Sequence, residues 1–244
     1  MNSNRKMARL AGVLWFLSTV TGSFSLLYIR STVIVPGDAA ATAGNLMASE
    51  FLFRAAIVSS LVSQVFLFFL GLTLFHLFKA VDRGLATVVL ASVMVTVAIA
   101  VVNSLNHFAS LLVLSQADYL NVFDPEQRNA MAFTFLRLAN SAGQGLVEIF
   151  WAPYYFSFGL LILRTRLLPK ILGILLMMMG FGFAVNILEK FLFPQFYPAL
   201  FTQFAMLGGA LGAIPTTLWL LIKGVRDPSL TDQAVHSGAA GDVA

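Results

Sequence analysis

Glu148 has the strongest claim to chemistry in this sequence. It stands in an apolar stretch between Leu146-Val147 and Ile149-Phe150-Trp151. An ionisable group costs about 2.5–3.5 kcal/mol at the centre of a span on insertion scales, so a carboxylate within a span, here in its outer half, is a functional candidate by default. Two polar series accompany it. Asn103, Asn106 and His107 stand at i, i+3 and i+4, and Asn140, Gln144 and Glu148 at i, i+4 and i+8. Each set shares one face if its helix is continuous. Together with Arg54 and Arg137 they predict an outward-opening polar pocket with Glu148 as its deepest charge. Arg54, Arg137 and His107 are the candidate partners of that carboxylate. In this pocket Glu148 or His107 would serve as an acid or base, or the amides would hydrogen-bond a small ligand.

Each group also has a plain structural role to set against that one. Asn and Gln inside membranes commonly join helices, at about 0.6 kcal/mol per hydrogen bond. His107 is compatible with a satisfied structural histidine. Arg54, Glu189 and Lys190 stand near span ends, where long side chains reach the interface. Glu148 is too short to do so.

Other chemistries fail on residue type or position. There is no cysteine, which excludes thiolate catalysis, disulfides and cysteine-ligated metal. The three histidines are His76, His107 and His236. His76 and His107 fall at opposite ends of neighbouring spans, about 30 Å apart in depth, and His236 falls in the tail. His107 with Glu148 supplies two ligands where a metal needs about three. Ser104 or Ser141 lacks the context of a nucleophile elbow, and no phosphate loop or dinucleotide fingerprint is present. No cofactor is expected.

The elements that must position these groups are set by composition. Of 244 residues 59% are hydrophobic and 11% charged, with 23 Phe against 5 Tyr and 3 Trp; mean hydropathy is +0.86. Charges this sparse cannot cover a water-facing surface, so lipid is the solvent and the principal partner. A spanning helix takes roughly 20 apolar residues. The expected fold is all-α: a polytopic bundle of about six spans at 8–29, 51–78, 85–114, 143–163, 168–191 and 199–222, forming one membrane domain over 1–226. Arg5, Lys6 and Arg9 lead the first span as they would a signal peptide, but its apolar stretch is too long for one.

Pro36-Gly37 marks a turn in the first connector, and Asp38 is placed to cap a short helix through Leu46. The stretch 126–163 would be about 57 Å long as a single helix, against about 30 Å of hydrocarbon. Ser141-Ala142-Gly143-Gln144-Gly145 is the natural break, and Pro153 a natural kink. The expectation is an interfacial helix over 125–140 followed by the true span. Pro194-Gln195-Phe196-Tyr197-Pro198 closes another turn, and the tail 227–244 is too polar to order itself.

Lys and Arg orient the spans. Arg5, Lys6, Arg9, Lys79, Arg83, Arg164, Arg166, Lys170, Lys223 and Arg226 fall on one side, which is nearly all basic. Arg30, Asp38, Glu50, Arg54, Asp118, Asp124, Glu126, Arg128, Glu189 and Lys190 fall on the other. The first side is expected to be cytoplasmic, with both termini on it. The net charge of +4 is thus membrane-orienting, and no nucleic-acid partner is expected. Gly208-Gly209-Ala210-Leu211-Gly212 has the small-xxx-small spacing of a close helix approach. It reads as packing within the chain, with self-association into a homo-oligomer as the alternative. Trp15, Tyr28, Tyr197 and Trp219 suit interfacial aromatic belts.

Arg9-Leu10-Ala11-Gly12, Ile34-Val35-Pro36-Gly37-Asp38-Ala39-Ala40-Ala41-Thr42 and Phe51-Leu52-Phe53-Arg54 resemble an uncharacterised bacterial family of integral membrane proteins, defined only as a domain of unknown function. The likeness runs along the chain up to the tail. It implies a six-helix protein of the bacterial inner membrane and carries over no catalytic residue. Three functional readings result: binding of a small molecule or lipid in the polar pocket, with transport as an extension; a membrane enzyme using Glu148 or His107; or an accessory protein without a ligand. Polar residues are lacking in the inner halves of the spans, which counts against full alternating access.

Overall fold

The computed structural model describes residues 3–115, 117–165, 167–193 and 200–225, without the side chains of Ser3, Ala142 and 200–209. The loop 194–198, Arg166, Arg226 and the tail 227–244 with His236 lie outside the described residues. Among the described residues eight α-helices run in order: α1 (Ser3–Tyr28), α2 (Ala39–Ala48), α3 (Glu50–Phe78), α4 (Arg83–Leu114), α5 (Pro125–Leu138), α6 (Gln144–Arg164), α7 (Lys170–Leu192) and α8 (Leu200–Ile222). No strand occurs among them. Helices dominate because hydrocarbon offers no hydrogen-bond partner, so a spanning segment must satisfy its backbone internally.

Five helical stretches are long and apolar enough to cross a bilayer: Asn4–Val33, Glu50–Phe78, Arg83–Leu114, Pro125–Arg164 and Lys170–Leu192. In α8, the stretch Ala210–Ile222 is apolar as well. Phe16, Phe24, Phe51, Phe69, Phe181 and Phe191 are among the many large apolar side chains left exposed. An all-helical chain with this surface is an integral membrane protein.

Local signals set the helix ends. Pro36 and Gly37 form a tight turn closed by the Asp38 N–H on the Val35 carbonyl at 3.2 Å. Gly37 has φ +80, the left-handed geometry that a type II turn demands at its third position. Asp38 then caps α2, its Oδ1 accepting the Ala41 N–H at 2.8 Å. At α5 the cap is reciprocal. Asp124 Oδ1 accepts from the Gln127 N–H at 2.8 Å, and Gln127 Oε1 accepts from the Asp124 N–H at 3.1 Å. Pro125 fills the first helical position, where its missing N–H costs nothing.

The backbone stays helical from Pro125 to Arg164. Where the sequence predicts a break, residues Ala139–Gly143 form a π turn, so α5 passes into α6 without a terminus. A second π turn, Ile29–Val33, extends α1. Each π turn inserts one residue relative to α-helical spacing and rotates the downstream residues about the helix axis. Asn140, Gln144 and Glu148 therefore do not share a face in the simple i, i+4, i+8 sense.

Contacts divide the chain into two compact units, one of 1–14, 70–92 and 151–244, the other of 15–69 and 93–150. The first unit is built on close helix approaches. A Cβ on Gly12 would lie 2.5 Å from the Leu221 backbone nitrogen, and one on Gly159 2.5 Å from the Gly173 carbonyl oxygen. At Gly212 it would lie 3.1 Å from Leu175, so this end of the small-residue stretch meets α7 within the chain. Phe78 packs edge-on against Phe158, with ring centres 5.5 Å apart, and Tyr155 stacks on Phe183 at 5.7 Å. Arg164 pairs with Asp82. Asp82 also accepts the Leu85 N–H at 3.0 Å, and this bond, with the Arg164 guanidinium, holds its carboxyl below the usual aspartate value.

The second unit has its core at Ile29, Val33, Leu46, Phe53, Ala56, Ile57, Leu111 and Leu136. Lipid tails are as apolar as these side chains, so close packing and hydrogen bonds hold the helices together. The α1–α3 seam shows this. Ser63 Oγ donates to the Ser18 carbonyl at 2.8 Å and Ser18 Oγ to the Ser63 carbonyl at 3.1 Å, while Ser59 Oγ donates to the Thr21 carbonyl at 2.9 Å. Trp15 is buried at 6% exposure and packs within the protein.

Candidate functional site

Several polar residues of the second unit converge on the π turn 139–143. A π turn spoils the regular helical bonding of nearby carbonyls, and side chains make up the loss. Asn103 Nδ2 on α4 donates to the Ala139 carbonyl at 3.0 Å. Asn140 Nδ2 donates back to the Leu136 carbonyl at 2.9 Å. Arg30, carried by the other π turn, donates to the Asn140 carbonyl at 3.2 Å.

The series on α4 continues the chain of bonds. Asn106 Nδ2 donates to Asn103 Oδ1 at 3.0 Å. His107 Nε2 lies 3.5 Å from Asn140 Nδ2, at the outer limit of a hydrogen bond. The His107 ring also meets Phe53 edge-on, 6.1 Å between centres, and the His107 carbonyl accepts from Ser110 Oγ at 2.7 Å. Asn103, Asn106, His107 and Asn140 thus form one connected group across α4 and the π turn. Gly143 makes room for it, because a Cβ there would overlap the Asn103 amide.

The remaining candidates stand differently. Glu148 is buried on α6. Gln144 is half-buried at the first position of α6, and Arg137 is exposed. Arg54 pairs with Glu50 one turn before it, 2.6 Å between charged atoms, with 56% of its side chain exposed. That pairing is surface-like and of small energetic weight. Arg30 was not among the sequence candidates, since it reads as the basic end of a span. Its position one turn beyond Leu26-Leu27 gave no sign that it would reach the π turn.

A cavity of about 490 Å³ opens beside this group. Ala98, Ile99, Val102, Asn103 and Asn106 of α4 line it together with Leu138, Gly143 and Leu146. Val102 is 64% exposed, and Leu138 and Leu146 are 47% exposed. The cavity is therefore a mainly apolar groove, open at the helix surface, with two amides in its wall. Asn103 Oδ1 and one of its N–H groups are engaged within the protein, and so is one N–H of Asn106. Among the described residues the Asn106 carbonyl oxygen and second N–H have no hydrogen-bond partner, which leaves them for an incoming group. Apolar walls with a few fixed polar groups and a volume in this range characterise small-ligand sites.

A family model described as Domain of unknown function (DUF4386) matches residues 10–224. Comparison with curated proteins and with solved structures finds no match. The chain belongs to the DUF4386 family.

Proposed function

We propose, from membership of a family that assigns no activity, that this integral membrane protein binds a lipid or another amphiphilic small molecule in the groove between α4 and the α5–α6 junction. The observation that carries the reading is the pairing of an apolar, surface-open cavity of about 490 Å³ with the Asn103 and Asn106 amides in its wall. In a membrane the exposed rim of Val102, Leu138 and Leu146 favours an approach from the hydrocarbon. An acyl chain or hydrophobic ring would lie along these side chains, and an ester, hydroxyl or amide would meet Asn106. His107 and Asn140 stabilise the wall, and Glu148 lies buried on the adjoining helix.

The near absence of acidic groups from the basic set Arg5, Lys6, Arg9, Lys79, Arg83, Arg164 and Lys170 supports a placement with both termini cytoplasmic, in a bacterial inner membrane. His107 Nε2 lies against the Asn140 amide, which supports a structural role for that ring.

The test is native mass spectrometry of the purified protein. Wild type is expected to retain a co-purified amphiphile. Asn106→Leu removes the polar anchor, and Val102→Trp fills the groove from its exposed rim. Both are expected to lower occupancy about tenfold, the loss of one buried hydrogen bond or of the apolar contacts. Equal occupancy in wild type and both variants would refute the reading.

A further inference from the structure

A second cavity in the same unit, of about 360 Å³, is lined by Ala40, Ala43, Gly44 and Met47 of α2, by Leu114, and by Pro125, Arg128 and Asn129 of α5 and its start. It differs in chemistry from the groove because it holds a cation. Arg128 and Asn129 are half-buried, yet among the described residues neither side chain makes a hydrogen bond or ion pair. Three acids of the same unit are engaged with other groups. Asp124 Oδ1 caps Gln127, Asp38 Oδ1 caps Ala41, and Glu50 pairs with Arg54. Small side chains on α2 keep the space open, and a Cβ on Gly44 would meet nothing within 4 Å.

We propose that this cleft between α2 and α5 binds a phosphate group, held by the Arg128 guanidinium and the Asn129 amide, with any attached tail running along Met47 and Leu114. A guanidinium offers a planar fork of donors that matches phosphate oxygens. A half-buried arginine without an ion pair among the described residues, beside an apolar floor, suits an anionic head with a hydrophobic continuation. Its two sources are a phospholipid headgroup and a free phosphate anion.

The experiment measures thermal stabilisation of delipidated protein in detergent by phosphatidylglycerol, by diacylglycerol, which has the same chains without phosphate, and by inorganic phosphate. Two variants accompany it. Arg128→Gln removes the charge. Gly44→Leu fills the cleft while improving the helix propensity of α2, so a folding defect is not expected to mask its effect. Phosphatidylglycerol is expected to stabilise wild type well beyond diacylglycerol, and each variant to bind it about tenfold more weakly. Stabilisation by inorganic phosphate that Arg128→Gln abolishes would support the same site with a free anion as its source. Equal effects of phosphatidylglycerol and diacylglycerol without stabilisation by inorganic phosphate, or wild-type affinity in either variant, would overturn the proposal.

Discussion

Gly159→Leu is expected to prevent the protein from being recovered as a folded, monodisperse species. A Cβ at residue 159 would sit 2.5 Å from the Gly173 carbonyl oxygen and 3.1 Å from the Met177 backbone nitrogen. Two of its neighbours are thus backbone atoms, and α7 cannot yield as a side-chain tip can. The opposition is mutual, since a Cβ on Gly173 would lie 2.7 Å from the Gly159 carbonyl oxygen. Further along α7, a Cβ on Gly180 would lie 2.8 Å from the Phe156 backbone nitrogen. Overpacking typically costs about 1–3 kcal/mol. A leucine between two backbones belongs at or above the top of that range, a large share of a total stability of about 5–15 kcal/mol. Thermal unfolding followed by size-exclusion chromatography in detergent reads the effect. Gly44→Ala is the control, because its Cβ enters open space and is expected to gain up to about 1 kcal/mol from helix propensity. If Gly159→Leu matched wild type, the α6–α7 approach would be wrong.

Gly143→Ala acts through hydrogen bonds in place of a backbone collision. Its Cβ would overlap the Asn103 amide, which is free to rotate away. Rotation breaks the bond from Asn103 Nδ2 to the Ala139 carbonyl and the one that Asn103 Oδ1 accepts from Asn106. An orphaned buried polar group costs about 1–3 kcal/mol, and the alanine returns at most about 1 kcal/mol of propensity. The net destabilisation is expected to be about 1–2 kcal/mol. Asn103→Ala should cost a similar amount, and the double variant little more than either single one, because both remove the same bonds. Strictly additive losses in a double-mutant cycle of unfolding midpoints would show that Gly143 and Asn103 do not meet.

The two cases show which features the sequence made legible. Span length, the Pro36-Gly37 turn and the Asp38 cap arise from local rules: apolar run length, left-handed glycine and a carboxylate three residues before an N–H. The shared face of Asn103, Asn106 and His107 came from helical spacing within one regular element. The π turns did not, because the side chains that satisfy their carbonyls are distant in sequence. Asn103 and Arg30 satisfy carbonyls 36 and 110 residues away, and no local pattern at 139–143 records that.

Arg54 teaches the opposite lesson. Its i, i+4 relation to Glu50 is readable in the sequence, and the two residues pair there. The Ser18–Ser63 exchange was also open to inspection in principle, as small polar residues at matching depths in α1 and α3. Isolated serines in apolar helices, however, commonly bond their own backbone, as the threonine hydroxyl Thr19 Oγ1 does to the Trp15 carbonyl at 2.9 Å.

The central claim is that the groove beside Asn103 and Asn106 opens into hydrocarbon. With no native cysteine, a single Leu146→Cys substitution can carry a spin label at its rim, and Val122→Cys, 79% exposed on the α4–α5 connector in the native chain, gives the aqueous reference. In reconstituted bilayers the label at 146 should relax with oxygen and remain shielded from a water-soluble nickel chelate, while the label at 122 should show the reverse. Relaxation by nickel at 146 as strong as at 122 would place the groove in water and contradict the account.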